Sequence, residues 1–187
     1  KIRRERRRVA ETGLSLETWA GREMTPRRWQ AIYPLLADTF HRHGHRPYLN
    51  QAFFEEVGRT LGDQMHLFVA LDGATPVGAA LTFSDTQTLY GRYWGVNGQW
   101  DCLHFELCYH LGIEHCIARG LAAYDPGTQG EHKLPRGFLP TLSWSLHWIA
   151  DPRLRAAIGD FVGQEALWVD RYAAQMARHS PLKSSAP

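Results

Sequence analysis

Two spacings of hydrophobic residues alternate along this chain, and each predicts a different kind of element. Hydrophobic positions three and four residues apart are typical of a helix packed by one face, whereas alternation at every second position is typical of a strand. In the first third of the chain the two spacings predict a charged helical lead-in, one strand and two helices, over residues 1–12, 14–19, 25–40 and 48–61. Thr25 followed by Pro26 is a common helix start, and Asn50 can cap the next helix.

Strand-like alternation dominates the middle of the chain and is followed by a helix. The predicted elements are strands at 65–71, 76–83 and 86–95, a helix at 103–119 and a strand at 121–124. Asp72-Gly73 is a typical turn between the first two strands, so these strands should form an antiparallel hairpin. Gly120 lies where the helical pattern stops and is a common helix-ending residue.

One more strand and a long helix are predicted near the end of the chain. Thr141–Ile149 alternates apolar and polar residues, and Asp151-Pro152 is a helix start. We expect this helix to bury one face, consisting of Leu154, Ile158, Phe161, Val162, Leu167 and Trp168. Residues 177–187 have the polar composition of a flexible tail.

This order of elements predicts an α+β fold in which a mixed, mostly antiparallel sheet has helices on both faces. We expect a basic helical lead-in at residues 1–12, a single domain at 13–176 and a flexible tail at 177–187. A long central helix that follows antiparallel strands and leads into a further strand is the layout of the GNAT acyltransferases. At this level the match is an analogy of layout.

Charge is concentrated at the start of the chain. The net charge is +2, but the first eight residues, KIRRERRR, contain six cations and one acid, so the remaining residues are mildly acidic. Such a segment can contact nucleic acid or anionic lipid, or it can be the solvated start of a helix. No run approaches the roughly 18 apolar residues of a membrane span, and we expect a cytoplasmic protein.

Cysteine and histidine residues are frequent, but their spacing does not predict a metal site. Cys102, Cys108 and Cys116 lie in or near the predicted central helix and include no CxxC pair. We expect reduced thiols that pack in the core. The HxHxH sequence at residues 41–45 has no adjacent acid or thiolate, and we interpret it as a polar loop.

The segment GTQGEHKLPRGFLP, Gly127–Pro140, has the composition of a functional site. Acid, imidazole and ammonium groups are adjacent in sequence, and the segment connects two predicted strands. Its candidate residues are Gln129, Glu131, His132, Lys133, Arg136 and Phe138. Lys133 and Arg136 could hold a phosphate, a carboxylate or a developing oxyanion, and Glu131 or His132 could take a proton from an amine. The alternative interpretation is an ordinary polar surface loop.

The predicted central helix supplies a second group of candidates. Tyr109 and His110 are three and four residues after Glu106, so the three share one stripe of the helix, and His104 lies two residues before Glu106. A carboxylate beside an imidazole can act as a general base, although the same pair can be a surface ion pair of little energetic weight. We expect His104 and Glu106 to be catalytic, and Tyr93, Trp94 and Tyr109 to bind substrate.

Four runs of sequence resemble one protein family. They are LYGRYWG from Leu89, LHFELCYH from Leu103, GTQGEHKLPRGFLP from Gly127 and SWSLHWIAD from Ser143. Together they resemble the C-terminal half of the FemAB-like peptidoglycan biosynthesis/recognition proteins, a group within the GNAT superfamily, over residues 1–165. Proteins of that family are usually about twice this long with two GNAT-like lobes. The resemblance and the initial Lys1 therefore imply that an N-terminal half of a longer chain is a partner of this lobe.

The resemblance also implies a kind of chemistry. Fem ligases transfer an amino acid from aminoacyl-tRNA to an amine of a peptidoglycan precursor and carry a Lys-Phe motif, which Lys133 and Phe138 resemble loosely. Other GNAT enzymes use acetyl-CoA, whose pyrophosphate binds a Q/RxxGxG/A turn before the central helix. The corresponding segment here reads VNGQWDCLH and departs from that pattern.

Three hypotheses about function follow from these residues and the resemblance. The first is an N-acyltransferase that transfers an acyl or aminoacyl group to an amine of a small molecule or peptide. The second is an aminoacyl-tRNA-dependent peptidyltransferase, in which the basic first eight residues contact RNA. The third is a lobe without catalytic activity that binds a cell-wall fragment. The donor, acyl-CoA or aminoacyl-tRNA, is left open by the sequence.

Overall fold

Five strands form one sheet in the order β1-β2-β3-β4-β5 in the computed structural model, which describes residues 1–42, 44–127, 130–179 and 181. The strands are β1 (Ser15–Ala20), β2 (Met65–Asp72), β3 (Thr75–Ser84), β4 (Thr88–Val96) and β5 (Ala123–Asp125). Strands β1 to β4 are antiparallel, and β5 is parallel to β4. The strands predicted before residue 126 are therefore confirmed, with small differences at their ends.

The chain divides into two compact units, Lys1–Thr128 and Gln129–Pro187. The first unit contains the sheet and the helices α1 (Ile2–Ala10), α2 (Pro26–Arg42), α3 (Gln51–Thr60), α4 (Leu103–Phe105) and α5 (Leu111–Arg119), with a short 3-10 helix at Gly21–Glu23. A π-helix, Glu106–His110, joins α4 to α5, and residues 103–119 are called the central helix below. The second unit contains a 3-10 helix (Glu131–Arg136) and α6 (Pro152–Ala177).

Strand β2 is buried on both faces and separates two hydrophobic cores. Leu67 and Val69 belong to the core beneath α2 and α3, and Phe68 and Ala70 belong to the core beneath the central helix. This division follows from the strand geometry, in which successive side chains point to opposite faces of the sheet. Helices therefore cover both faces, as predicted.

Helix α1 is part of the second core. Val9 has 2% of its surface exposed and packs with residues of the sheet and the central helix. Glu5 is also buried, while Arg3, Arg4 and Arg7 on the same helix are exposed. The basic start of the chain is thus a helix with one inward face and one strongly basic outer face.

The strand predicted at 141–149 is not formed. Residues 138–149 have no regular secondary structure. Their alternation of apolar and polar residues suits a strand, but a strand requires a neighbouring backbone to receive its hydrogen bonds. The described part of the second unit contains no strand that could serve as that neighbour.

The prediction that α6 buries one face is also wrong. Helix α6 begins as expected, with Asp151 Oδ1 accepting hydrogen bonds from the backbone N–H groups of Arg153 and Leu154. None of its 26 residues is buried, however, and the six side chains predicted to be inside are all exposed. The spacing specified an amphipathic helix, but the apolar stripe remains exposed in the described part of the chain.

None of the described helices combines the length and hydrophobicity that a membrane crossing requires.

Candidate functional site

The first candidate group lies where α1 meets the π-helix. Glu106 has 2% of its surface exposed. Its Oε1 accepts a hydrogen bond from Nε of Arg6 at 3.1 Å, and its Oε2 has no hydrogen-bond partner among the described residues. Burial raises the pKa of Glu106, and the Arg6 guanidinium opposes that rise only in part. Enzymes raise the pKa of a catalytic glutamate in this way, so the carboxyl is suited to proton transfer.

A second buried pair lies beside the first. His110 Nε2 is 3.3 Å from Glu5 Oε2, and both residues are almost fully buried. The two pairs connect consecutive residues of α1 to positions four apart on the central helix. A helix with π geometry shifts its side chains relative to a regular α-helix, and π segments are frequent at functional sites.

An aromatic cluster lies at the start of the central helix. The Trp94 ring is 4.5 Å from the His104 ring, and the His104 ring is 5.4 Å from that of Tyr109, between ring centroids. Phe105 stacks on Tyr109 with centroids 6.2 Å apart. Tyr109 is buried, while Trp94, His104 and Phe105 are half-buried. These flat, partly accessible rings are typical of a surface that binds an organic substrate.

Tyr93 lies on the other face of the sheet. Its ring centroid is 5.8 Å from that of Phe40 on α2 and 5.7 Å from that of Phe54 on α3. Its buried hydroxyl has no hydrogen-bond partner among the described residues. Because Tyr93 and Trp94 are consecutive on one strand, they point in opposite directions. The structure therefore does not bring these two predicted binding residues together.

A tryptophan side chain packs against the turn before the central helix. Trp100 Nε1 donates a hydrogen bond to the carbonyl of Asn97 at 2.9 Å, and the indole lies against Gly98. Cys102, where the helix begins, has a φ of 66°, a conformation that non-glycine residues rarely adopt. Arg8 of α1 reaches this turn and donates to Oδ2 of Asp101 at 2.6 Å. The turn thus has a different construction from a glycine-rich loop.

The polar segment of the second unit forms a short 3-10 helix. Glu131 Oε1 accepts a hydrogen bond from the Tyr172 hydroxyl of α6 at 2.9 Å. The Arg136 guanidinium is 3% exposed and donates to the backbone carbonyl of His132. Lys133 and Phe138 are half-buried in the same segment. The segment is therefore an ordered turn of helix, and Gln129 lies outside the described residues.

Gly130 provides the entry to this 3-10 helix. Its φ of 113° is a conformation open to glycine, and a Cβ atom there would lie 2.3 Å from the His132 imidazole. The glycine thus lets the imidazole fold back over the backbone.

Arg6 and Glu5 are site residues that the sequence interpretation missed. They lie in the charged run 1–8, for which the sequence suggested contact with nucleic acid or lipid, or the solvated start of a helix. Ile2 and Val9 are seven residues apart and fall on one stripe of a helix, which was the signal that the run has an inward face. That signal does not specify which side chains of the central helix Glu5 and Arg6 contact.

Among the described residues, no group of three or more His, Cys, Asp or Glu side chains is arranged to bind a metal ion. The cysteines are free thiols, with Cys116 buried and Cys102 and Cys108 half-buried.

Solved structures of acetyltransferases share this fold. A ribosomal-protein-alanine N-acetyltransferase from Brucella melitensis biovar Abortus 2308 matches with a TM-score of 0.51 at 13% identity, over 74% of this chain and 99% of its own. An aminoglycoside acetyltransferase from an uncultured soil metagenomic sample, solved with sisomicin, gives 0.51 at 13% identity, over 74% and 99%. An aminoglycoside N-acetyltransferase AAC(6')-Iy solved with CoA gives 0.50 at 11% identity, over 74% and 97%. The fold is that of the GNAT acetyltransferases, as predicted.

No curated protein is significantly similar to this chain in sequence. The sequence model of the FemAB-like family, described as peptidoglycan biosynthesis/recognition, matches residues 1–184. That match spans nearly the whole chain of 187 residues and agrees with the acetyltransferase fold. The chain therefore belongs to the FemAB-like family.

Proposed function

We propose that this chain is an N-acyltransferase lobe in which Glu106 is the general base. The observation that carries the proposal is the state of its carboxyl group: one oxygen is held by Arg6, and the other is buried without a partner among the described residues. An unsatisfied buried oxygen is costly, so it is expected where a substrate supplies the missing hydrogen bond. The GNAT fold and the FemAB-like family support transfer of an acyl group to an amine.

The reaction proceeds in two steps. An ammonium group of the acceptor donates a proton to Glu106, and the neutral nitrogen attacks the acyl carbonyl carbon. A C–N bond forms and the carbonyl oxygen becomes an oxyanion. The bond to the leaving group then breaks, the oxyanion returns to a carbonyl, and the nitrogen's remaining extra proton passes to the leaving group. Positioning and stabilisation of the oxyanion supply most of the rate in such a reaction.

We assign the other candidates by their chemistry. The half-buried rings of Trp94 and His104 form an aromatic surface for the acceptor, and the buried Tyr109 packs against His104 and supports it. Lys133 and Arg136 lie in the second unit, and their role in binding an anionic group stays a prediction that rests on their charge. Glu131 is a weaker candidate for the base, because it is exposed and already accepts a hydrogen bond from Tyr172.

The donor in this proposal is an aminoacyl-tRNA or a related aminoacyl ester in preference to acyl-CoA. Trp100 fills the turn before the central helix, and that turn lacks the glycine pattern on which a CoA pyrophosphate would rest. Arg3, Arg4 and Arg7 present an exposed basic face on α1, which suits a polyanion. The acceptor is proposed to be an amine of a peptidoglycan precursor.

Glu106→Gln is the variant that tests the proposal, with Glu11→Gln as the matched control, because Glu11 is an exposed glutamate directly after α1. Each protein is incubated with a muropeptide amine and either aminoacyl-tRNA or acetyl-CoA, and the new amide is measured by mass spectrometry. We expect product with aminoacyl-tRNA, a loss of about 100-fold or more for Glu106→Gln, and full activity for Glu11→Gln. Circular dichroism shows whether each variant is folded.

The outcomes separate the three hypotheses. Turnover with acetyl-CoA alone would overturn the donor assignment and retain the base. A folded Glu106→Gln protein with full turnover would overturn the role of Glu106. Saturable muropeptide binding by calorimetry, with no product from either donor, would establish a binding lobe without catalytic activity in place of the transferase.

A further inference from the structure

A groove of about 450 Å3 lies in the first unit between the outer strand β1 and helix α5. Its lining includes Thr18, Arg22, His66, Glu114, His115 and Arg119, and it includes none of the residues assigned above to acyl transfer. The volume is within the range of about 300–1,000 Å3 typical of small-molecule sites.

Two imidazoles line this groove side by side. The rings of His66 on β2 and His115 on α5 are 4.4 Å apart between centroids, and His66 is 4% exposed. His66 Nε2 is 2.9 Å from the Ser84 hydroxyl, which fixes the orientation of the ring. Burial, His115, Arg119 and Arg22 together lower the pKa of His66 to about 4, and burial and Arg119 lower that of His115. Both rings are therefore neutral at pH 7.

The carboxylates around the groove already have partners. Glu114 pairs with Arg6, Asp63 pairs with Arg22, and Glu23 accepts a hydrogen bond from the backbone N–H of Ala20 at 2.6 Å. Arg119, in contrast, has no acidic partner in the described part of the chain. The lining has two arginines, Arg22 and Arg119, and two glutamates, Glu23 and Glu114, so it carries no net charge. Arg119 is nevertheless the lining cation that has no ion-pair partner among the described residues, and it lies beside two neutral imidazoles.

We propose that this groove binds an oxyanion, the carboxylate or phosphate group of a small molecule, with Arg119 as its charge partner and His115 as a hydrogen-bond donor. A guanidinium can grip either group with two parallel hydrogen bonds. A bound anion also offsets the repulsion between the arginines and a protonated imidazole, so binding is coupled to proton uptake by the histidine pair. The groove does not contain the proposed base, although its Glu114 shares Arg6 with Glu106, and anion binding here requires no acyl transfer.

Ring-nitrogen NMR of His66 and His115 tests the proposal directly. The full chain is titrated with pH in the presence of inorganic phosphate, sodium acetate or chloride at equal ionic strength. We expect phosphate or acetate to raise the titration midpoint of His115 by about one pH unit, the size of shift that a nearby opposite charge produces. Arg119→Ala should abolish this rise, and Arg119→Lys should retain part of it.

Arg59→Ala is the matched control, because Arg59 is an exposed arginine of the same unit, paired with Glu56 outside the groove. It should leave the shift unchanged. A rise with phosphate alone would assign a phosphate ligand, and a rise with acetate alone would assign a carboxylate. Equal midpoints in phosphate, acetate and chloride, or an equal shift in Arg119→Ala, would overturn the proposal.

Discussion

Gly95 has no room for a side chain. A Cβ atom built on it would lie 1.9 Å from the carbonyl oxygen of Leu35, because β4 passes directly against the backbone of α2. This overlap involves backbone, which cannot rotate away as a side chain can. A glycine inside a strand often marks a bulge or a close approach of another backbone, and at Gly95 the structure shows that the neighbouring backbone is that of α2.

The first prediction concerns this contact. Gly95→Ala should destabilise the protein by about 3 kcal/mol or more, since α2 must move away from the sheet. Gly159→Ala is the control: Gly159 has nothing within 4 Å of its Cβ position, so alanine should stabilise α6 by up to about 1 kcal/mol. Urea unfolding followed by tryptophan fluorescence measures both. Equal stability of the two variants would contradict the close contact.

The second prediction concerns His66 and acid. Its folded-state pKa of about 4 lies below the ordinary value of 6.5, so its contribution to stability is complete above pH 6.5 and is lost as the pH falls toward 4. The full difference corresponds to about 3 kcal/mol at most. Wild type should therefore lose more stability than His66→Gln between pH 7 and pH 4, measured by urea unfolding at each pH. Parallel curves for the two proteins would show that His66 does not titrate in this way.

The contact between α1 and the central helix determines the burial, the ion pairing and the pKa of Glu106. Two consecutive residues of α1, Glu5 and Arg6, reach two residues of the π-helix, and Val9 anchors α1 in the core. Arg6 also donates to the exposed Glu114, so one guanidinium connects both acids. The local sequence indicated a helix here, whereas its ionic partners lie about a hundred positions away in the chain and depend on packing.

The third prediction follows from this arrangement. Burial raises the folded-state pKa of Glu106, so its charge opposes folding at high pH, and this cost disappears as the pH falls. Arg6→Ala removes the opposing cation and should destabilise the protein by about 1–3 kcal/mol at pH 8 and by less at pH 4. In a Glu106→Gln background, the effect of Arg6→Ala on stability should be the same at pH 8 and pH 4. Denaturant unfolding at both pH values measures this.

Glu114→Gln provides the comparison for the third prediction, because the exposed bond between Glu114 and Arg6 should contribute less than about 1 kcal/mol. An Arg6→Ala protein that loses equal stability at pH 4 and pH 8 would show that Arg6 acts through packing and not through the Glu106 charge.

The molecule as a whole exposes an unusual amount of apolar surface in its second unit. Leu146 is fully exposed, and Trp144 and Trp148 are 89% and 82% exposed. The second unit also exposes the apolar stripe of α6. Single exposed apolar residues are normal on a protein surface, but this number of large ones in one unit is not. The first unit, in contrast, encloses two complete cores around its sheet.

The fourth prediction concerns this surface. The double variant Trp144→Glu/Leu146→Glu should bind less of a hydrophobic dye than wild type and associate less in light scattering, because it replaces exposed apolar area with charge. Its free energy of unfolding should change by less than about 0.5 kcal/mol, since neither side chain is packed. Leu67→Glu, in the core, is the opposite case and should prevent folding. A large loss of stability in the double variant would show that the segment is packed.

The sequence by itself determined the elements of the first unit and hence its fold. Alternation and helical spacing depend only on which face of an element avoids water, so β1 to β5 and α1 to α3 could be located from local pattern. It also indicated Glu106, His104 and the Gly127–Pro140 segment as candidates. We expected Tyr93 and Trp94 both to bind substrate, but consecutive residues of a strand point to opposite faces of the sheet, so the two cannot line the same site.

Tertiary structure decided what each element meets. Residues 141–149 have the alternation of a strand, and α6 has the spacing of a helix with one buried face. Both segments nevertheless remain exposed. A hydrophobic pattern shows that a segment would be stabilised by a packing partner, but it does not show that the partner exists. The environment of Glu106 likewise arises from Arg6, which long-range packing places beside it. Burial, pKa and pairing depend on neighbours that are distant in sequence, and only the folded chain supplies them.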